Sequence, residues 1–344
     1  MTAMASEESF PGGGPGAGKD NLIRKVLVTG GTGFIGKEIL RAYRARSIEA
    51  VGVARRPDAA LGVVAGDVSE PASWARHLDG CDIVYHTAAV VSLVEKREVA
   101  WAVNVKGTQQ LAEEAAKRGV KRFVHVSSVA AMGFESDDGA DETWPLMPNG
   151  NTYTDSKIAA EHAALCAHAS GKIDVTIIRP SDVYGVDSAW IREPLAMMRA
   201  RQFMLPNEGK GHFSPIHVDD LVAGAILAGE SPKGAGEVFI LANGGVTTRE
   251  FFTYHWNWLG REGSPPALPA RALKALAAAG GGLARAMGAK TEMGPGAIAI
   301  LCRPGGYSTK KAREVLGFEP KISLAEGMAG VAAELRRRGE IEGG

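Results

Sequence analysis

"KVLVTGGTGFIGKEIL", Lys25 to Leu40, runs from an apolar stretch through a glycine-rich turn into an amphipathic one. Val26, Leu27 and Val28 predict a strand, and the apolar residues after Gly33 recur at helical spacing. Gly30, Gly33 and Gly36 stand between them at GxxGxxG spacing, and that placement between strand and helix says more than the spacing itself. A Cβ at Gly30 or Gly33 would hinder the tight turn or the close approach of a ligand, and a bare Gly36 lets the helix lie against the sheet. The first amides of that helix, at Phe34, Ile35 and Gly36, can then face an anion above the turn, which predicts a dinucleotide's pyrophosphate.

Outward from this stretch the chain alternates short Val- and Ile-rich runs, "AVGVA", "GVVAG", "DIVYHT", "RFVHVSS" and "VTIIRP", with longer segments of helical spacing. The helical segments are "PASWARHL", "REVAWAVNVKGTQQLAEEAAKRG" and "TYTDSKIAAEHAALCAHASG". Nearly unbroken apolar runs suit strands covered on both faces, so the expected fold is α/β, a Rossmann-like doubly wound parallel sheet. After Gly185 the pattern loosens into Pro-bounded loops, a strand "EVFILA" and Ala-rich helices, which predicts a smaller, interleaved C-terminal substrate-binding part. The expected division is a disordered leader over 1–21, a dinucleotide-binding domain over 22–185, and a mainly substrate-binding part over 186–344 with segments returning to the sheet. "PGGGPGAGKD", Pro11 to Asp20, mimics a phosphate-binding loop, but Asp20 stands where a magnesium-ligating hydroxyl is needed and no strand precedes it.

Formal net charge is zero over 344 residues and Lys and Arg are scattered, which argues against nucleic acid and against an anionic membrane as partner. Three cysteines, Cys81, Cys166 and Cys302, lie far apart without CxxC spacing, so neither a metal site nor a disulfide framework is expected and a cytoplasmic location fits. The apolar segment "ARALKALAAAGGGLARAMG" is broken by Arg271, Lys274, Arg285 and three glycines, too short a run for an integral membrane segment.

Arg55 and Arg56 follow the second strand, about twenty residues beyond the last loop glycine. An acidic residue there would hold the ribose hydroxyls of NAD, whereas arginine can clasp the 2′-phosphate of NADP, so NADP(H) is the expected cofactor, with NAD(H) as the alternative. Tyr153 and Lys157 in "YTDSK" lie one helical turn apart on one face, downstream of a strand ending at Ser127 and Ser128. Reducing a carbonyl requires a proton to arrive as hydride adds. The Tyr153 phenol, ordinarily at about 10, would supply it, with the Lys157 ammonium drawing that value down and Ser128 orienting the oxygen.

These residues resemble the extended short-chain dehydrogenases/reductases across nearly the whole ordered chain. The motifs are "TGGTGFIG", Asp67 in "GDVSE", "HTAA" at His86–Ala89, "NVKGT" at Asn104–Thr108, "SSVAAMG", "YTDSK", "RPSDVYG" and "HVDD" at His217–Asp220. The resemblance implies that Asp67 and Val68 meet the adenine, that Thr87, Ala88 and Ala89 line the cofactor, and that Pro180 and Val183 flank the nicotinamide. It implies Ser128, Tyr153 and Lys157 as the catalytic set, with Ser127 as second choice for the serine. Within the family the chain is most similar to the 3β-hydroxysteroid dehydrogenase and dihydroflavonol reductase branch, in "HTAAVV", "NVKGTQQLAEEA" and "ETWPLMPNGNTYTDSK". Sugar-nucleotide epimerases usually place a tyrosine where this chain has Met132, and an acidic residue where it has arginines.

The expected activity is interconversion of a ketone and a secondary alcohol on a hydrophobic, steroid-like or polycyclic small molecule, by a homodimer packed through its long helices. The alternatives are an NAD-dependent sugar-nucleotide epimerase or dehydratase, and a non-catalytic dinucleotide sensor or scaffold.

Overall fold

A computed structural model describes residues 22–275 and 295–342. The glycine-rich leader and most of the Ala-rich stretch lie outside the described residues.

Seven parallel strands form the central sheet: β1 (Lys25–Thr29), β2 (Glu49–Ala54), β3 (Val63–Ala65), β4 (Ile83–His86), β5 (Arg122–Val126), β6 (Asp174–Pro180) and a late strand, Val238–Leu241. From one edge to the other their order is Val238–Leu241, β6, β5, β4, β1, β2, β3. The order reverses at β1, so the crevice over the β1 and β4 ends is where such a sheet accepts a ligand. Alternate residues of β1 enter different cores. Val26 and Val28 pack with Ile39, Leu40 and Tyr43 of α1 (Phe34–Ala45), whereas Leu27 joins the cluster holding Leu111, Ala112 and Ala115. Burial on both faces is why these strands are apolar at successive positions.

A chain of helical turns covers the second face: α2 (Arg97–Ala100), a π-helical segment Trp101–Lys106, and α3 (Gly107–Lys117), beside α4 (Thr152–Ala169). The sequence predicts an unbroken α-helix here. The wider π turn has a local cause: Asn104 faces inward, accepts the Val90 N–H at 2.7 Å, and donates to Val90 O at 3.0 Å and to Ser156 Oγ at 2.9 Å. "PASWARHL" also departs from its expected helix and forms two 3₁₀ turns, Pro71–Ser73 and Ala75–Leu78. Trp74 between them is buried, and its indole N–H donates to Asp67 O at 2.7 Å, an anchor that a continuous helix would turn away from the core.

A third core gathers beyond the sheet, where Tyr184, Ile191, Leu195, Phe213, Phe251 and Phe252 pack with Met328 and Leu335 of the helix Leu324–Arg337. Arg303 is buried against the short strand Asp182–Tyr184; its guanidinium pairs with Asp182 and donates to the Tyr307 hydroxyl at 3.2 Å. No described helix is long and apolar enough to cross a membrane.

Candidate active site

The cofactor residues named from the sequence gather at the C-terminal ends of the strands: Gly30 to Gly36 after β1, Arg55 and Arg56 after β2, Asp67 and Val68 after β3, Thr87 to Ala89 after β4, and Pro180 at the end of β6. Val183 follows in Asp182–Tyr184. Gly30 has φ +70°, and a Cβ there would lie 2.8 Å from Thr87 Oγ1 and 2.9 Å from Ala88 N. A Cβ on Gly36 would lie 2.3 Å from Gly30 O, so the loop and α1 touch backbone to backbone. Gly33 occupies the N-cap of α1 without a capping side chain, and no acidic residue stands in the first turn. The amides of Phe34, Ile35 and Gly36 and the positive end of the helix are thus presented to an anion, and the residues fit a dinucleotide pyrophosphate.

Around that cradle the polar groups are tied together. Thr87 Oγ1 donates to Thr29 O at 2.7 Å. His86 is buried and bridges two threonines, with Nδ1 2.7 Å from Thr29 Oγ1 and Nε2 2.9 Å from Thr108 Oγ1. Thr108 spends its own proton on Asn104 O at 2.5 Å, so it accepts from His86 Nε2–H, and Nδ1 accepts from Thr29. Burial, then the charge of Lys157, pulls His86 down to about 3, so the ring is neutral throughout the physiological range. Asp67 accepts from Ser69 N at 2.9 Å and Ser69 Oγ at 2.7 Å. The Ser69 backbone N–H, then its hydroxyl, hold that carboxyl below the usual range, with Arg55 adding its charge. Arg55 and Arg56 are exposed.

The catalytic candidates meet where β5 ends and α4 begins. Asn151 caps α4, accepting the amides of Tyr153 at 2.9 Å and Thr154 at 3.3 Å, which fixes the first turn. Tyr153 is half-buried, Lys157 is buried, and the Lys157 Nζ stands 5.9 Å from the Tyr153 ring centre. Ser128 is extended, at φ −164° and ψ 151°, and its Oγ accepts the Ala130 N–H at 3.1 Å, leaving its proton available. Burial raises the Tyr153 phenol and the Ser128 hydroxyl opposes that. The expectation that Lys157 makes this phenol acidic needs correcting for the chain by itself. Lys157 Nζ donates to Val126 O at 2.9 Å, and burial brings the ammonium down to about 8 against the opposing charge of Glu161.

His217 and Asp219, also prominent in the sequence, serve structure: His217 Nδ1 accepts the Asp219 N–H at 3.3 Å and caps the helix Val218–Glu230. Sequence reasoning passed over Asn104, Thr29, Glu161 and Arg179. The readable signal for Glu161 was its spacing, four residues after Lys157 and eight after Tyr153, which puts all three on one helix face. Among the described residues no group of three or more His, Cys, Asp or Glu is placed to hold a metal ion.

The description "NAD dependent epimerase/dehydratase family" matches residues 26–242. A relative from Stigmatella aurantiaca, the 4-hydroxy-2-methyl-3-oxo-4-farnesyl-3,4-dihydroquinoline-1-oxide ketoreductase, is 29% identical over 88% of this chain and 94% of its own length. A 3 beta-hydroxysteroid dehydrogenase/Delta 5-->4-isomerase of Mycobacterium tuberculosis (strain CDC 1551 / Oshkosh) is 31% identical over 60% of each chain. Among solved structures, DesIV, the dTDP-glucose 4,6-dehydratase of Streptomyces venezuelae with NAD and TYD bound, is 25% identical. It superposes with a TM-score of 0.73 over 92% of this chain and 98% of its own. The glycine cradle, the strand order and these relatives lead to one conclusion: the chain belongs to the NAD-dependent epimerase/dehydratase family, the extended short-chain dehydrogenases/reductases, and is an oxidoreductase of that family.

Proposed function

We propose that this oxidoreductase uses NADP(H) to interconvert a ketone and a secondary alcohol on a hydrophobic, steroid-like or polycyclic small molecule. The observation that carries the proposal is the convergence of Ser128, Tyr153 and Lys157 beside an anion-binding glycine cradle. When bound, the dinucleotide supplies the hydride. Ser128 Oγ and the Tyr153 hydroxyl donate to the substrate's carbonyl oxygen, and Tyr153 yields its proton there as negative charge develops. Lys157 keeps two N–H donors beyond the one given to Val126 O, enough to hold the ribose hydroxyls and stabilise the phenolate left behind.

Four of the described arginines on the substrate side are already engaged, which favours an uncharged substrate at those positions. On the substrate side Arg303 is paired with Asp182, Arg192 with Glu340, and Arg249 and Arg261 donate to backbone carbonyls of Glu208 and Met198. A nucleotide diphosphate calls for free guanidinium groups, which these are not. The ketoreductase relative, named for a farnesylated quinoline, points the same way. The DesIV likeness keeps a sugar-nucleotide dehydratase as the second reading; it is distinguished by NAD that copurifies and turns over without external cofactor.

Titration with NADPH and NADH followed by a screen of ketones and sugar nucleotides tests the assignment, and exclusive turnover of sugar nucleotides overturns it. Removing both arginines, Arg55→Ala with Arg56→Ala, is expected to weaken NADPH binding by about 10- to 100-fold, the worth of hydrogen bonds to a charged group, and to leave NADH binding nearly unchanged. Equal losses for both cofactors would assign these arginines elsewhere. Homodimer formation through the exposed faces of α3 and α4 belongs to the same proposal, and light scattering of the purified chain checks it.

A further inference from the structure

One turn beyond Lys157, α4 carries a carboxylate with no access to water. Glu161 is 1% exposed. Its Oε1 accepts from Ser127 Oγ at 2.5 Å and from Arg179 Nε at 3.0 Å, and its Oε2 accepts from Arg179 Nη2 at 2.8 Å. Arg179 is itself buried, at the end of β6 beside Pro180. A buried ion pair of this kind is poor value as a stabiliser, since apolar residues of similar volume often do as well or better. Its place suggests another use: Ser127 adjoins Ser128, Arg179 adjoins the strand end flanking the site, and Lys157 shares the helix face.

We propose that Glu161 is a positioning residue of the active site: its carboxylate holds Ser127 and Arg179 at once, fixes the turn that carries Ser128, and balances the positive charge of Lys157. This rests on the catalytic roles proposed above for Ser128 and Lys157. The titratable groups that interact with Lys157 are Tyr153 and Glu161 on its own helix, His86 from β4 and His125 from β5, and Arg179 of β6 reaches it through its pair with Glu161. Both histidines are held neutral by burial. The turn Trp101–Lys106 adds only Lys106, which is exposed, and α2 and α3 carry their charges, Arg97, Glu98, Glu113, Glu114 and Lys117, away from the buried face. Glu161 is therefore the one carboxylate among these described groups that offsets two buried cations.

The test is a pair of substitutions with opposite expected signs. Glu161→Gln keeps the shape and an acceptor for Ser127 but removes the anion, so Lys157 sheds its proton at lower pH. Arg179→Met removes the competing partner of Glu161, leaving the carboxylate to Lys157 and moving that event to higher pH. In carbonyl reduction by the full-length chain with NADPH, the alkaline limb of kcat should move down by about one pH unit in Glu161→Gln and up in Arg179→Met.

A second readout uses neither cofactor nor substrate. With a folded value of about 8 against an ordinary 10.5, Lys157 binds fewer protons folded than unfolded in that window, so stability rises with pH across it. The onset of that rise, taken as the difference in urea midpoint from the same chain carrying Lys157→Met, should shift in the same two directions. Unmoved onsets in both variants overturn the proposal. If Glu161→Gln fails to fold, Arg179→Met decides alone by the presence or absence of the upward shift. Normal turnover in Tyr153→Phe would instead defeat the functional reading, and the cofactor-free onsets would still judge Glu161.

Discussion

Tyr153→Phe is expected to lower ketone reduction about a thousandfold, the usual worth of a positioned proton donor, while the NADPH dissociation constant changes by less than about threefold. The ring is half-buried and its first turn is fixed by the Asn151 cap, so Phe occupies the same volume and the contact with Lys157 Nζ is kept. What disappears is one hydroxyl facing Ser128. Since burial holds that phenol above its ordinary value, it is protonated at neutral pH and ready to donate. In the proposed mechanism the protonated phenol serves reduction, and the reverse oxidation, which needs the phenolate, should gain as pH rises. Stopped-flow turnover beside a fluorescence titration separates chemistry from binding. A variant with near-normal kcat would remove Tyr153 from the mechanism.

Gly36→Ala should abolish measurable dinucleotide binding and destabilise the chain by roughly 1–3 kcal/mol, the range for overpacking. The added Cβ would stand 2.3 Å from Gly30 O and 2.9 Å from Thr87 Oγ1. Backbone on one side and a hydroxyl already bonded to Thr29 O on the other leave neither neighbour free to give way, so α1 must lift off the loop. Lifting it tilts the amides of Phe34, Ile35 and Gly36 away from their common focus. Urea denaturation and NADPH titration report the two effects. Binding as tight as in the parent chain would sink the assignment of Gly30 to Gly36 as the pyrophosphate cradle.

The sheet was readable because burial on both faces leaves a mark that few other arrangements leave, successive apolar residues in short runs, as at Val26–Val28 and Ile83–Tyr85. The residues assigned to the cofactor lie together because parallel strands deliver all their ends to one edge. What the sequence hid were features decided by tertiary partners. Nothing local distinguishes Trp74, which breaks a helix into two 3₁₀ turns by reaching Asp67 O, from a tryptophan on an ordinary helix face. Asn104 widens a helix because Val90 presents both its N–H and its carbonyl to it, a contact across fourteen residues. Spacing puts Glu161 on the helix face of Tyr153 and Lys157, but its burial shows only once Arg179 is folded against it, since the ordinary expectation for a helical Glu is the surface. Lys157 shares a helix face with Tyr153, as the spacing requires, but its ammonium's hydrogen bond goes to the Val126 carbonyl.

The edge strand Val238–Leu241 and the guanidinium of Arg303 both arrive from far beyond the glycine loop, one to finish the sheet and the other to neutralise Asp182. Specificity therefore cannot be grafted between relatives by trading everything after residue 185 as a cassette. Such an exchange also replaces the rim on which β6 is zipped and the counter-ion of a buried anion, and a donor lacking an arginine there would strand Asp182 uncompensated. Recombination that respects the molecule moves loops singly and carries Asp182 and Arg303 together, as one inherited unit.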